Sequence, residues 1–154
     1  MTKSLFINDS DYIKLENFSL SYRFTDNNFD ILPKNHLSTI KPLPTSKAEE
    51  IHEYSKKFID GKTLSSKNFS KTKLIKTDAS DPLKIGSILH SLFENSEIIL
   101  SYDNKTALVT TYNTFYKYWD SFCYPSSDDI VIFPLDEEWV MAYFHYEEFV
   151  VNYN

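Results

Sequence analysis

The chain has 154 residues, of which 42% are apolar and 16% are aromatic. This is enough for one domain with a sizeable core, and it is too apolar for a disordered tail. The apolar runs are far shorter than the roughly 20 residues that span a membrane, and the N-terminus lacks the features of a secretory signal. Because the single cysteine, Cys123, cannot form an internal disulfide, we expect a reducing, cytoplasmic location without membrane contact.

The net charge of −6 is distributed unevenly along the chain. Residues 1–93 carry 14 basic and 11 acidic side chains, whereas residues 94–154 carry 2 basic and 11 acidic ones. If the C-terminal acids are exposed, they form a negative surface that repels nucleic acid and attracts basic proteins. We therefore expect no nucleic-acid partner. The alternative is an acidic face that serves only solubility.

Cofactor-binding and metal-binding patterns are absent from the sequence. The chain has two glycines, where an average chain of this length would have roughly ten, so glycine-rich phosphate loops cannot be built. The four histidines are scattered, and no zinc-ligand spacing occurs. We expect neither a cofactor nor a bound metal.

The first half of the chain predicts one strand and one helix. Residues 17–24 alternate apolar and polar side chains, a pattern typical of a half-buried strand. Residues 40–44 are predicted to be extended because prolines disfavour helix in the residues before them. A helix is predicted to begin at Ser46, which has capping-box spacing to Glu49, and to end at Gly61.

A stretch with five lysines and no acid follows at residues 61–77. We interpret it as a solvated surface loop that has room for a short strand at residues 73–76. Contact with phosphate or with an acidic partner is the alternative interpretation. A second helix is predicted at residues 81–93, with Asp81 as its cap and Pro82 in its first position.

The second half of the chain predicts most of the sheet. Residues 97–102 and 107–112 are rich in β-forming side chains and read as a hairpin. A helix is predicted at residues 113–124, followed by strands at 130–133 and 138–146. The helix carries an aromatic stripe made of Phe115, Tyr118, Trp119 and Phe122.

The last of these strands is apolar on both faces. This predicts either a central strand covered on both sides or one face kept for a partner. The element order predicts a single α+β domain over residues 1–154, with an antiparallel sheet of four to six strands and helices packed mainly on one face.

Acidic and aromatic side chains are concentrated in the last 37 residues, which contain eight acids and no lysine or arginine. Charges of one sign speed the encounter with an oppositely charged protein, and aromatic side chains supply contact area. The predicted partner-binding residues are the acids Asp128, Asp129, Asp136, Glu137, Glu138, Glu147 and Glu148, with the aromatics Tyr124, Trp139, Tyr143 and Tyr146. The sequence carries no catalytic motif, and we predict that no residue is catalytic.

The stretches TTYNTFYKYWDSF and DDIVIFPLDEEWVMAYFHYEEF resemble small cytoplasmic immunity proteins that are encoded beside bacterial polymorphic toxins. Contact-dependent growth inhibition systems are the nearest case. The resemblance covers about residues 97–150, and IKPLPTSKAEEI at 40–51 is similar to small bacterial proteins. The resemblance to immunity proteins implies that the chain is a non-enzymatic inhibitor that binds the toxin domain of its own system.

Two other classes of function stay open at the level of sequence. One is a protein-interaction adaptor without a toxin. The other is a small hydrolase that uses Cys123 or the acidic turns. The hydrolase requires a histidine close to Cys123 in the fold, and a metal-dependent nuclease usually adds a lysine or histidine to its carboxylates. No lysine follows Lys117 in this chain.

Overall fold

The computed structural model describes residues 5–78, 80–94 and 96–154. Residues 1–4, part of the segment analysed for a signal, lie outside this description. The strands are β1 (Lys41–Pro42), β2 (Ile59–Asp60), β3 (Thr63–Leu64), β4 (Lys71–Lys76), β5 (Glu97–Ser101), β6 (Ala107–Thr111), β7 (Ile130–Pro134), β8 (Trp139–Phe144) and β9 (Glu148–Tyr153). The α-helices are α1 (Tyr22–Thr25), α2 (Lys34–Leu37), α3 (Thr45–Ser55), α4 (Pro82–His90), α5 (Tyr112–Lys117) and α6 (Trp119–Phe122).

Seven strands form one antiparallel sheet in the order β1-β6-β5-β7-β8-β9-β4. The predicted mixture of helices with an antiparallel sheet is confirmed, but the expected number of four to six strands is too low. Two segments account for most of the difference. The chain end forms β9, which pairs with β8 along six residues, and the lysine-rich stretch forms β4, which pairs with β9.

The central strands of the sheet are buried on both faces, whereas the edge strand β4 is exposed except at Ile75. One face packs against α4, α5 and α6, whereas the longest helix, α3, and the β2–β3 hairpin pack on the other. Along β8, Trp139, Met141 and Tyr143 enter the first core, and Val140, Ala142 and Phe144 enter the second. The prediction of a central strand covered on both sides is therefore confirmed, and helices cover both faces.

The predicted strand at residues 17–24 is wrong. Phe18 and Phe24 are buried, as the pattern indicated, but this segment turns across a face of the sheet. The Ser21 amide donates to the Phe18 carbonyl and the Phe24 amide donates to the Ser21 carbonyl, both at 3.0 Å. A segment that crosses a sheet face has no strand edge to pair with, so its backbone groups are satisfied locally.

Helix boundaries agree with the sequence patterns where the capping residues are strong. α4 begins as predicted, because the Asp81 side chain accepts the Lys84 amide at 3.2 Å and Pro82 occupies the first turn. α3 begins at Thr45 without a side-chain cap. Gly61 does not end that helix but, with φ of 65°, makes the β2–β3 turn. The predicted helix at 113–124 is interrupted at Tyr118.

Candidate protein-interaction site at one end of the sheet

The three acidic clusters predicted as one recognition surface lie at two opposite ends of the sheet. Residues 128–129 precede β7 and residues 147–148 follow β8, and the pairing of Ile130 with Tyr143 brings these clusters to one end. Residues 136–138 form the turn at the other end. Because β8 has six residues and a strand rises about 3.3 Å per residue, the two ends are about 20 Å apart.

Asp128 is not on the surface but in a buried ion pair with Arg23. The guanidinium donates to Oδ2 at 2.6 Å and to Oδ1 at 3.2 Å, and the Tyr124 amide donates to Oδ2 at 2.8 Å. Burial is the largest single effect and opposes the charge of Arg23, but the hydrogen bond with Asp128, together with smaller contributions from its neighbours, outweighs burial and raises the pKa of Arg23. The charge of Asp128 is therefore compensated inside the protein, and this carboxylate belongs to the packing of the loop before β7.

Two of the predicted aromatic contacts are core residues. Trp139 is 4% exposed and stacks on Phe93 with ring centroids 4.3 Å apart, and Tyr143 is 1% exposed beside Phe149. Both lie on the covered face of β8. Trp139 does not reach this end of the sheet, and Tyr143 contributes only as a buried residue in the wall of the cavity described below. Tyr146 is 56% exposed and Tyr124 is half-buried, so these two of the four predicted aromatics reach solvent.

The 136–138 turn is connected to α3. The Glu137 carboxylate accepts the Tyr54 hydroxyl at 2.6 Å and pairs with Lys57. Burial opposes the charge of Lys57, but its hydrogen bonds with Glu137 and Tyr54 raise its pKa. Asp136 and Glu138 remain exposed. This end of the sheet therefore offers two carboxylates without an ion-pair partner among the described residues, beside the compensated carboxylate of Glu137.

The other end combines more carboxylates with exposed aromatic rings. We call it the acidic–aromatic end, and it consists of Phe29, Asp30, Asp120, Tyr124, Asp129, Tyr146, Glu147 and Glu148. Two contacts connect its loops, since the Ser126 amide donates to the His145 carbonyl and Asp129 lies 2.9 Å from the His145 ring. Phe29, which is 42% exposed, stacks on Tyr124.

Phe29, Asp30 and Asp120 are members of this end that sequence reasoning missed. Phe29 and Asp30 come from the loop after α1, far from the clusters in the sequence, whereas Asp120 lies in α6 and is one of the eight acids of the last 37 residues, outside the three clusters. For Phe29 and Asp30 the sequence signal is the adjacent aromatic and acidic pair at 29–30, the same association that marks residues 118–148, and Asp120 beside Trp119 belongs to that region.

A cavity of about 570 Å³ opens between the loop after α1, α6 and the β8–β9 turn. Its charged lining residues are the carboxylates of Asp30, Asp120 and Glu147 and the guanidinium of Arg23. Burial raises the pKa of Asp120, and the nearby charge of Asp30 adds to the effect. A half-buried carboxylate in this position lacks a cation among the described residues.

Cys123 lines the same cavity but is 1% exposed. Burial raises the pKa of its thiol well above the ordinary value, and the charge of Asp128 adds to that shift. A nucleophilic cysteine requires the opposite shift and a neighbouring base, and no histidine is among the described residues that line this cavity.

Neither a metal cluster nor a known relative adds to this description. Within residues 5–78, 80–94 and 96–154, no group of three or more histidine, cysteine or acidic side chains has metal-binding geometry. None of the described helices is long and apolar enough to cross a membrane. No protein-family model matches the chain, and no curated protein or solved structure matches it.

Proposed function

We propose that the chain is an immunity protein that binds and neutralises a cognate toxin domain of a contact-dependent growth inhibition or polymorphic-toxin system. It acts in the cytoplasm, without catalysis, by occluding the toxin's active site or an adjacent surface. The toxin domain is basic, as expected of a nuclease. The observation that carries this proposal is the acidic–aromatic end, where exposed rings stand among carboxylates that have no lysine or arginine partner among the described residues.

The surface suits a basic partner for two physical reasons. Carboxylates such as Asp129, Glu147 and Glu148 attract a positively charged surface over several ångströms, which raises the association rate. Exposed rings such as those of Phe29 and Tyr146 bury a large area at little cost in side-chain entropy, which slows dissociation. A nuclease is basic where it holds phosphate, so an acidic protein that binds there also excludes the substrate.

The hydrolase alternative has weaker support. Cys123 is buried and the pKa of its thiol is raised, which disfavours the thiolate that attacks a substrate. The adaptor alternative uses the same surface and differs only in the partner. A growth phenotype therefore separates it from the immunity function.

The proposal is tested with the gene next to the one for this chain. The C-terminal domain of a large secreted protein encoded there is expressed in a bacterial host, with and without this chain, and the two proteins are purified together. We expect the toxin domain to arrest growth, the chain to restore it, and the two to form a stable complex. Complex formation without a growth effect supports the adaptor, and the absence of both binding and protection overturns the proposal.

A further inference from the structure

The cavity at the acidic–aromatic end has a charge imbalance that its own residues leave uncorrected. Arg23 is the only lysine or arginine among the described lining residues, and its two terminal nitrogens are engaged by Asp128. The carboxylates of Asp30, Asp120 and Glu147 face the same space, and none of the three has an ion-pair partner among the described residues. Asp120 and Glu147 are half-buried, whereas Asp30 is exposed. A half-buried carboxylate without a cation is unfavourable, so the cavity attracts a positive group.

A second and independent feature of the cavity is an unsatisfied donor. Arg23 is 5% exposed, and its Nε–H has no hydrogen-bond acceptor. Buried polar groups are nearly always paired, and each exception calls for an explanation. Arg23 lines the cavity, but its Nε is itself shielded from solvent. An acceptor carried by an incoming group, such as a peptide carbonyl, satisfies this donor only when the groups that cover the Nε move aside.

The aromatic lining fits the same kind of occupant. Phe29 and Tyr124 stack at the cavity, with ring centroids 6.2 Å apart, and the Arg23 guanidinium lies 3.8 Å from the centre of the Tyr124 ring. Aromatic faces favour a guanidinium or an ammonium group. Because Arg23 already lies over the Tyr124 ring, the 42% exposed ring of Phe29 is the one more open to an incoming cation. A volume of about 570 Å³ lies in the range of pockets that enclose drug-sized groups, so a long side chain fits with part of its backbone.

We propose that this cavity receives one basic side chain, an arginine or a lysine, from the partner protein. The positive group lies among the carboxylates of Asp30, Asp120 and Glu147, and a backbone carbonyl of the same partner segment accepts the Arg23 Nε–H. This inference rests on the proposed function and names the contact through which the partner is recognised. The raised pKa of Asp120 agrees with it, because a neighbouring cation would relieve the cost of that buried charge.

The test uses a small probe, so it does not depend on the toxin. N-acetyl-arginine-N-methylamide is titrated into the isotopically labelled full chain, and backbone amide shifts are followed by NMR. N-acetyl-citrulline-N-methylamide is the uncharged control of nearly the same shape, and the free-amine lysine analogue is a second cation. We expect saturable shifts at residues 27–30 and 119–124 with the two cations, and at least fivefold weaker binding of citrulline.

The variants make the test specific. Asp120→Asn keeps the shape of the side chain and removes its charge, so we expect at least fivefold weaker binding of the arginine probe. Asp60→Asn, at the exposed end of β2 and away from the cavity, is the matched control and is expected to bind as the wild type does. Equal binding by citrulline, shifts outside the cavity, or unchanged binding by Asp120→Asn would overturn the cavity assignment.

Growth assays keep this test apart from that of the proposed function. If the chain fails to protect against the neighbouring toxin while the probe binds and Asp120→Asn weakens that binding at least fivefold, the immunity function fails and the cationic pocket stands. If the wild type and Asp120→Asn protect equally and the complex dissociates at the same rate, the pocket assignment fails and the immunity function stands.

Discussion

At the scale of single residues, the Arg23–Asp128 pair determines which acidic side chains are free for a partner. Its two members are 105 positions apart in the sequence, so no local pattern distinguishes Asp128 from its exposed neighbour Asp129. Breaking a buried pair leaves an uncompensated charge, which costs about 3–5 kcal/mol. We expect Asp128→Ala to lower the free energy of unfolding by that amount, measured by urea denaturation.

Asp129→Ala is the matched control for this prediction. Asp129 is exposed and lies beside the His145 ring, and exposed pairs are worth about 0–1 kcal/mol. In the double variant Arg23→Met/Asp128→Leu, both charges are removed, so part of the lost stability is expected to return. If Asp128→Ala and Asp129→Ala lowered the free energy of unfolding equally, the Arg23–Asp128 pair would not be buried in solution.

Asp120 is a residue whose charge the folded state disfavours. Burial holds the pKa of Asp120 above its ordinary value. At pH values near and above that ordinary pKa, this carboxylate therefore binds a proton more tightly in the folded chain than in the unfolded chain. Stability from this group is present at low pH and is lost as the pH rises through the folded pKa. We therefore expect Asp120→Asn to raise the unfolding midpoint at pH 7, and expect this gain to shrink as the pH falls towards 4.

The sign of that effect is what matters. Most substitutions at structural positions destabilise a protein. A gain in stability from Asp120→Asn would therefore indicate that the Asp120 carboxylate serves binding rather than folding. A lower unfolding midpoint for Asp120→Asn at pH 7 would contradict the interpretation. It would show that the carboxylate stabilises α6 or the loop around it.

At the scale of elements, the contact between α4 and α5 depends on Gly86. A Cβ atom built at Gly86 would lie 2.9 Å from the Tyr116 carbonyl oxygen, a backbone atom that cannot move alone. Glycine to alanine in a helix interior normally gains about 1 kcal/mol. Here the clash forces α4 away from α5, and we expect Gly86→Ala to lower the free energy of unfolding by about 1–3 kcal/mol.

Ser87→Ala is the control on the same helix. Ser87 is exposed, and its hydroxyl bonds only to the Leu83 carbonyl within α4, so alanine there is expected to be neutral or slightly stabilising. Thermal unfolding of the two variants compares them directly. A stabilising Gly86→Ala would mean that the two helices are farther apart in solution.

Elements with strong local signals were predicted from the sequence, and elements that depend on distant partners were not. The β5–β6 hairpin and the start of α4 follow from β-forming side chains and from Asp81 and Pro82. The pairing of β4 with β9 joins a lysine-rich stretch to the chain end, and neither segment alone indicates the other. Residues 17–24 have the period of a strand, but tertiary packing places them across a sheet face.

At the scale of the whole molecule, the sheet separates acids that the sequence groups together. The acid-rich half of the chain can be recognised from the sequence. Which of its acids are exposed, and which lie together, depends on the strand end at which each cluster lies. The antiparallel connection of β7 and β8 puts 128–129 beside 147–148 and sends 136–138 to the opposite end. The loop after α1 adds Phe29 and Asp30 to the first end, so this end carries the larger negative and aromatic surface.

This separation gives a prediction with an internal control. The double variant Asp129→Lys/Glu148→Lys changes the charge of the acidic–aromatic end, and Asp136→Lys/Glu138→Lys makes the same net change at the other end. The four side chains are exposed or half-buried, so both variants are expected to fold. Surface charges around an interface act mainly on the association rate and on its salt dependence. We expect the first variant to slow association with the proposed toxin domain at least tenfold at low ionic strength and to flatten the salt dependence of the rate, while the second variant has a much smaller effect. Both effects are measured as stopped-flow association rates at about 20 mM and about 150 mM salt. At the higher concentration the screening length falls below about 10 Å. Equal slowing by the two variants would show that only net charge matters, and slowing by the second alone would place the interface at the β7–β8 turn.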